Sequence, residues 1–188
     1  RIDALTQRVT DSASGNVNIF NRYKAIIVAK PDSAFNEKDK FIIDQYVMRG
    51  GRVLWLLDGV NADMDSLKNK PTAIALAKEL QIDDLLFRYG ARVNYNLLQD
   101  AQCLPIMMVT GNIGNQPQFN MMPWPYFPLL NPAPVPHPVS NNLNAIKAQF
   151  ASSIDTVSAP GIKKTILLTT SDNTINQPTP AIIDPRIA

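Results

Sequence analysis

Residues 23–58, running from Tyr23 to Asp58, read YKAIIVAKPDSAFNEKDKFIIDQYVMRGGRVLWLLD and contain a complete strand, helix, strand unit with its punctuation in place. Tyr23 to Ala29 is a short run rich in Ile and Val, ended by Lys30-Pro31-Asp32, which suits a strand buried on both faces. Asn36 offers an N-cap oxygen, and Glu37 and Asp39 lie near the positive end of the helix that follows. Phe41, Ile42, Ile43, Tyr46, Val47 and Met48 form the apolar stripe of a helix over 37–49, leaving Lys38, Lys40, Asp44, Gln45 and Arg49 to water. Gly50-Gly51 stops the helix, because glycine accepts the left-handed conformation at little steric cost. Arg52 to Leu57 is then a second strand, parallel to the first through a right-handed crossover. Extended to the whole chain, this predicts a three-layer α/β fold with a mainly parallel, flavodoxin-like sheet and a proline-rich antiparallel extension from about residue 91.

The chain has 188 residues, of which 45% are hydrophobic and 18% charged, enough for one well-filled soluble domain over 1–188. Its net charge of +2 arises from residues spread along the sequence without a Lys/Arg block, so no nucleic-acid footprint is present. One cysteine, Cys103, excludes an internal disulfide and any multi-cysteine metal site. No run approaches the ~20 apolar residues that span a bilayer. The sequence opens at Arg1 in a strand-like RIDALT, which suggests a fragment whose anchoring segments lie outside it.

Beyond the crossover, Ile2 to Thr6 reads as a strand, Thr72 to Leu80 as a helix, and Ile82 to Tyr89 as a second short helix closed by Gly90. Ala91 to Asn96, Leu97 to Asp100 and Leu104 to Thr110 read as strands, with Gly111-Asn112 and Gly114-Asn115 turning toward Phe119 to Met122. Eight of the 15 prolines fall between Gln116 and Pro138, so this segment is expected as an extended, loop-rich excursion over the sheet. Residues 150–157 alternate like a strand, Lys164 to Thr170 is a further strand, and the end from Ser171 to Pro185 reads as loosely ordered, with Ala181 to Ile183 as an edge addition.

The chemistry-bearing residues are few. Asp58 ends the second crossover strand, where doubly wound sheets place ligands. Asn61, Asp63 and Asp65 imitate the start of a calcium loop, but Ser66 stands at the sixth position and Thr72 at the twelfth, so a solvated acidic turn is the better reading. GNIGN at 111–115 lacks the Lys-Ser/Thr pair of a phosphate loop. Cys103, in DAQCLPIM, is not on a nucleophile elbow, and His137, the one histidine, lies between Pro136 and Pro138. Ser152, Ser153 and Asp155 complete a triad with it only on paper, because no G-x-S-x-G frames either serine. Trp124, Tyr126 and Phe127, separated by prolines, either cover the sheet or present a rigid partner surface. The site assignment is therefore catalytic none, metal none and cofactor none, with Trp124, Tyr126, Phe127, Asp58 and His137 as the partner or ligand surface.

The order YKAIIVAKP, EKDKFIIDQYVMRGG, RVLWLLDGVNADMDSL, FRYGARVNYNLLQD, GNIGNQPQF, PWPYFPLL, HPVSNNL, SSIDTV and KKTILLTTS resembles the soluble domain of the GldG-like auxiliary proteins of gliding-motility ABC transporters in Bacteroidetes. The resemblance implies a non-catalytic, membrane-anchored domain on the periplasmic face of the inner membrane, beside a permease and, indirectly, its ATPase. It also implies a class I amidotransferase-like fold without the catalytic residues, a structural His-Pro turn at His137, and a further strand-helix unit ahead of this sequence. Two other functions compete: an amidotransferase-like or sugar-processing hydrolase using Cys103 or His137, and a small-ligand or glycan-binding module near Pro31 and Asp58.

Overall fold

The computed structural model describes residues 19–67 and 72–184; the expected strand at Ile2 to Thr6 lies outside them. In chain order the elements are β1 (Ala25–Ala29), α1 (Glu37–Met48), β2 (Arg52–Leu56), β3 (Val60–Asn61), a 3-10 turn (Asp65–Leu67), β4 (Ala73–Ala77), α2 (Asp83–Arg88), β5 (Ala91–Val93) and β6 (Asn96–Asp100). They continue with β7 (Cys103–Ile113), β8 (Gln116–Pro132), β9 (Ile146–Lys147), β10 (Ile154–Thr156), β11 (Leu168–Thr169), β12 (Thr174–Pro178) and β13 (Ala181–Ile183). The chain divides into two compact units. The first holds the described residues up to Leu57 with Glu79–Arg92 and Val157–Pro160; the second holds Asp58–Lys78, Val93–Thr156 and the chain from Gly161.

The first unit contains the expected crossover. β1 and β2 pair parallel with Ala25 opposite Arg52 and Ala29 opposite Leu56. Asn36 caps α1 through a reciprocal box, its Oδ1 accepting from the Asp39 N–H at 2.8 Å while the Asp39 carboxylate faces the Asn36 N–H. Ile42, Ile43 and Tyr46 are buried, whereas Phe41 and Met48 are exposed, because two strands give α1 a narrow platform. The strands are not buried on both faces: Ile27, Leu54 and Leu56 are exposed on the face that alternates with Val28, Val53 and Trp55. α2 is tied to α1 by the Lys40 ammonium, which donates to both Asp84 oxygens at 3.1 Å.

The second unit overturns the mainly parallel, three-layer α/β expectation. Among the described residues 42% are strand and 13% helix, and its sheets are mainly antiparallel. Parallel pairing is confined to β1 and β2 among the strand pairs with a defined register, so one crossover did not extend to the rest. Thr72 to Leu80 is not a helix: β4 lies between β3 and β13, with Ala75 buried against Ala181. The proline-rich segment is extended as expected, but its part Gln116–Pro132 is not loop: it is the 17-residue β8, which forms a long hairpin with β7 and pairs β9 and β11, and only 133–138 lies outside a strand. Pro105 faces Pro123 across the ladder, so two missing donors fall on one rung. Within the stretch expected to be loosely ordered, β12 pairs β6 from Thr174 opposite Asp100 to Pro178 opposite Asn96, and β13 pairs β4.

The core of this unit gathers Val60, Ala75, Leu97, Trp124, Tyr126, Phe127, Phe150, Ala181 and Ile183. The Trp124 ring lies 5.2 Å from Tyr126, tilted by 60°, and Phe127 meets Phe150 edge-on at 5.6 Å.

Candidate functional site

The three aromatic residues assigned to a partner surface do not form one. Trp124, Tyr126 and Phe127 are 0%, 5% and 3% exposed and make the centre of the second unit's core. Trp124 is buried and β8 is buried at consecutive positions from Tyr126 to Pro128, not only at alternate ones, and large rings there release the most apolar surface from water. The Tyr126 hydroxyl accepts from Gln99 Nε2 at 2.9 Å, and burial, with the Asp184 carboxylate adding to it, pushes the phenol up.

His137 sits in a turn. Its Nδ1 accepts from the Val139 N–H at 3.2 Å and its carbonyl accepts from the Ser140 N–H at 3.0 Å. Those bonds give the imidazole the role of a local brace between two prolines. Cys103 starts β7 opposite Pro128 and is half-buried, on an extended strand and not on a strand-to-helix elbow. Asp58 is half-buried, and Gly59 beside it is wedged against Ser152 and the Asn94 carbonyl. The acidic turn is a turn: Asp63 Oδ1 accepts from the Ser66 N–H and hydroxyl at 2.7 and 2.8 Å.

Ser153 and Asp155 do come together, but around amides. Asn94 Nδ2 donates to Ser153 Oγ at 2.9 Å and to Asp155 Oδ2 at 3.0 Å, and Asn96 Nδ2 donates to Ser153 Oγ at 2.9 Å. An amide has no basic lone pair to take the serine proton, so this network orients the chain and does not activate a nucleophile. In the first unit an open concavity of about 620 Å³ is lined by Asn21, Tyr23, Lys24, Tyr46, Arg49 and Arg52. It lies at the amino ends of β1 and β2, opposite the strand ends near Pro31 and Asp58 where a doubly wound sheet binds ligands.

The exposed chemistry of the second unit is concentrated on the β7–β8 hairpin, whose turn through residues 111–115 the sequence anticipated and whose exposed apolar face it did not. Residues directly opposite in a ladder share a face. Pro105 with Pro123, Met107 with Met121, and Val109 with Phe119 therefore line one side. Met107, Val109, Phe119 and Met121 are 67%, 57%, 55% and 60% exposed. The other side carries Ile106 and Met108, half-buried against the core. From Ala101 to Ile146 the sequence contains no Asp, Glu, Lys or Arg, and four of the six methionines lie in this hairpin. The result is an adaptable, uncharged apolar surface whose burial needs no ion to be stripped of water. The hairpin turn was legible in the sequence; the full length of β8 and the register that aligns these side chains on one face were not.

The second unit is thus a β-rich body with one outward apolar face on its β7–β8 hairpin. The family of ABC-transporter auxiliary proteins described as ABC-type uncharacterized transport system matches residues 6–187, and the chain belongs to it. It is thus an auxiliary component of an ABC-type transport system. No curated protein matches the sequence. Among solved structures, it is similar to the mmIFT52 N-terminal domain, with a TM-score of 0.56 and 16% identity over 95% of this chain. The chain covers 64% of that structure's length, and the likeness concerns the fold alone.

Proposed function

We propose that this chain is a non-catalytic, GldG-like contact domain of an ABC-type transport system associated with gliding motility in Bacteroidetes. In this reading it works at the periplasmic face of the inner membrane, touches the permease directly and influences the ATPase through it. Membership of the transport-system family supports the setting. The observation that carries the contact role is the uncharged face of Met107, Val109, Phe119 and Met121, which stays exposed although it is as apolar as a core. Among the described residues no helix is long and apolar enough to cross a membrane.

The test is co-purification of the permease with the tagged protein from detergent-solubilised membranes, scored beside cell movement. Phe119→Ser with Met121→Lys should lower permease recovery about tenfold, which is ~1.4 kcal/mol of binding, while leaving the melting temperature unchanged. Cys103→Ser and His137→Ala should leave recovery and movement intact. Loss of movement in a folded, permease-bound Cys103→Ser protein would defeat the non-catalytic reading.

A further inference from the structure

We infer that Met107 and Met121 form a paired sulfoxidation site, modified by a hydroperoxide, whose oxidation turns the outward face of the β7–β8 hairpin polar without unfolding the protein and so releases the partner held there. The site stands on the hairpin's geometry alone; the release rests on the contact reading proposed above.

The register places the two thioethers side by side. Pro105 lies opposite Pro123, and the ladder runs without a shift from there to Val109 opposite Phe119. Proline has no N–H, so the Pro105–Pro123 rung cannot exchange a pair of N–H···O bonds. Rungs of an antiparallel ladder alternate between hydrogen-bonded and non-hydrogen-bonded, so Met107–Met121, two residues on, is a non-hydrogen-bonded rung as well. There the Cα atoms approach to ~4.5 Å and side chains on the shared face lie closest. Both methionines are open to a small oxidant, being 67% and 60% exposed. Met64 and Met108, by contrast, are half-buried against the core.

A thioether needs no neighbouring base, because its sulfur is oxidised without first losing a proton, unlike a thiol. The sulfur lone pair attacks one peroxide oxygen, so an S–O bond forms as the O–O bond breaks. The departing hydroxide takes the remaining hydroxyl proton and leaves as water; sulfur gives up the two electrons that the peroxide gains. The product is a polar sulfoxide. Neither β7 nor β8 carries a charge, so two sulfoxide oxygens change the character of a face otherwise made by Pro105, Val109, Phe119 and Pro123. A partner that covers them must strip both of water. The fold keeps its packing, since Ile106 and Met108, which meet the core, lie on the other side of the hairpin.

The tagged protein, carrying Cys103→Ser so that the thiol consumes no oxidant, is treated with hydrogen peroxide and then freed of it. Peptide mass spectrometry, hydrophobic-interaction chromatography, thermal melting and permease recovery from detergent-solubilised membranes are the readouts. Met107 and Met121 should convert about tenfold faster than Met64 and Met108. Column retention should fall, the melting temperature should hold, and permease recovery should drop about tenfold. Methionine sulfoxide reductases with a dithiol, which carries the oxygen off as water and becomes a disulfide, should restore retention and recovery. Met107→Leu with Met121→Leu conserves volume and apolarity, so this variant should keep both through the same treatment, although Met48, 73% exposed on α1, is still oxidised.

Conversion of the pair no faster than Met108, an equal loss of retention in the double-leucine variant, or unfolding on oxidation would each overturn the site. A protein that holds the permease equally before and after treatment would overturn the release. A protein that never recovers the permease would remove the contact reading and the release with it, while the column and the mass spectra still decide the site.

Discussion

Gly51 lies flat against the ring of Tyr46, so close that a Cβ at Gly51 would overlap the ring carbons. Tyr46 has nowhere to go: it is 3% exposed, its hydroxyl donates to the Tyr23 carbonyl at 3.1 Å, and its edge meets Phe20 at 5.9 Å. Gly51→Ala should therefore destabilise the first unit by ~1–3 kcal/mol through overpacking. Gly50 differs in kind, since its φ of +88° needs glycine but the space around it is open. Gly50→Ala should cost ~1 kcal/mol. Urea denaturation of both variants is the check, and equal stability of Gly51→Ala and the wild type would contradict this packing.

That turn belongs to the part of the fold that was legible in the sequence. The Asn36 cap, the Gly50-Gly51 stop and the paired strands around α1 are local devices, written within a few residues of where they act. The misreadings concern partners far along the chain. AIALA at 73–77 has no period that separates helix from strand, and what makes it β4 is pairing with Ala181–Ile183 and Val60–Asn61. The prolines of β8 were read by their local effect, as breakers, while the decision was made by β7 opposite them and by the burial of Trp124, Tyr126 and Phe127. Of the candidate site, the strand-like, elbow-free setting of Cys103 and the turn at His137 followed from their neighbours; the apolar face did not, because it needs the cross-strand register.

Asp100 gives a pH signature. It is 1% exposed, and its carboxylate accepts from the Ser171 N–H at 2.9 Å and hydroxyl, the Gln102 N–H at 2.8 Å and the Thr174 hydroxyl at 3.0 Å. Burial pushes the carboxyl up, but these donors outweigh it and hold it below the usual carboxylate range. With the folded value depressed, the stabilisation is complete above the unfolded value of ~3.9 and is lost as pH falls through the folded value. Asp100→Asn should cost ~2–3 kcal/mol at neutral pH, since it removes charge-assisted bonds and aims an amide donor at other donors. The gap between variant and wild type should narrow below about pH 4. Thermal melts at the two pH values test this, and a gap independent of pH would refute it.

Trp124 and Phe127 are expected to report on stability and not on partner choice. Phe127→Ala should cost ~3–5 kcal/mol by opening a cavity between Phe150 and Trp124. Trp124→Phe should cost less, about 1–2 kcal/mol, because the buried Trp124 Nε1 makes no hydrogen bond that the phenylalanine would lose. Calorimetric unfolding of both gives the order. A Phe127→Ala protein that melts like the wild type yet fails to bind the permease would return these rings to the partner surface.

Gly59 and Ser152 form the most specific mutational test in the second unit. A Cβ at Gly59 would stand 2.6 Å from Ser152 Oγ and 2.7 Å from the Asn94 carbonyl oxygen, both too close for atoms that do not bond. Gly59→Ala should then destabilise by ~1–3 kcal/mol. Ser152 Oγ is itself buried without a hydrogen-bond partner, so Ser152→Ala should be neutral or slightly stabilising, having nothing to lose but an unmet desolvation cost. The side chain and the backbone contribute separately to the clash. Ser152→Gly in the Gly59→Ala background should therefore recover part of the loss and no more, because the Asn94 carbonyl is held by the chain. The double-mutant cycle from chemical denaturation measures that coupling. Full recovery would mean the backbone can yield at Asn94, and no recovery would mean that Ser152 is not the obstacle. A large loss of function in a stable Ser152→Ala protein would give this hydroxyl the chemical role that its amide surroundings argue against.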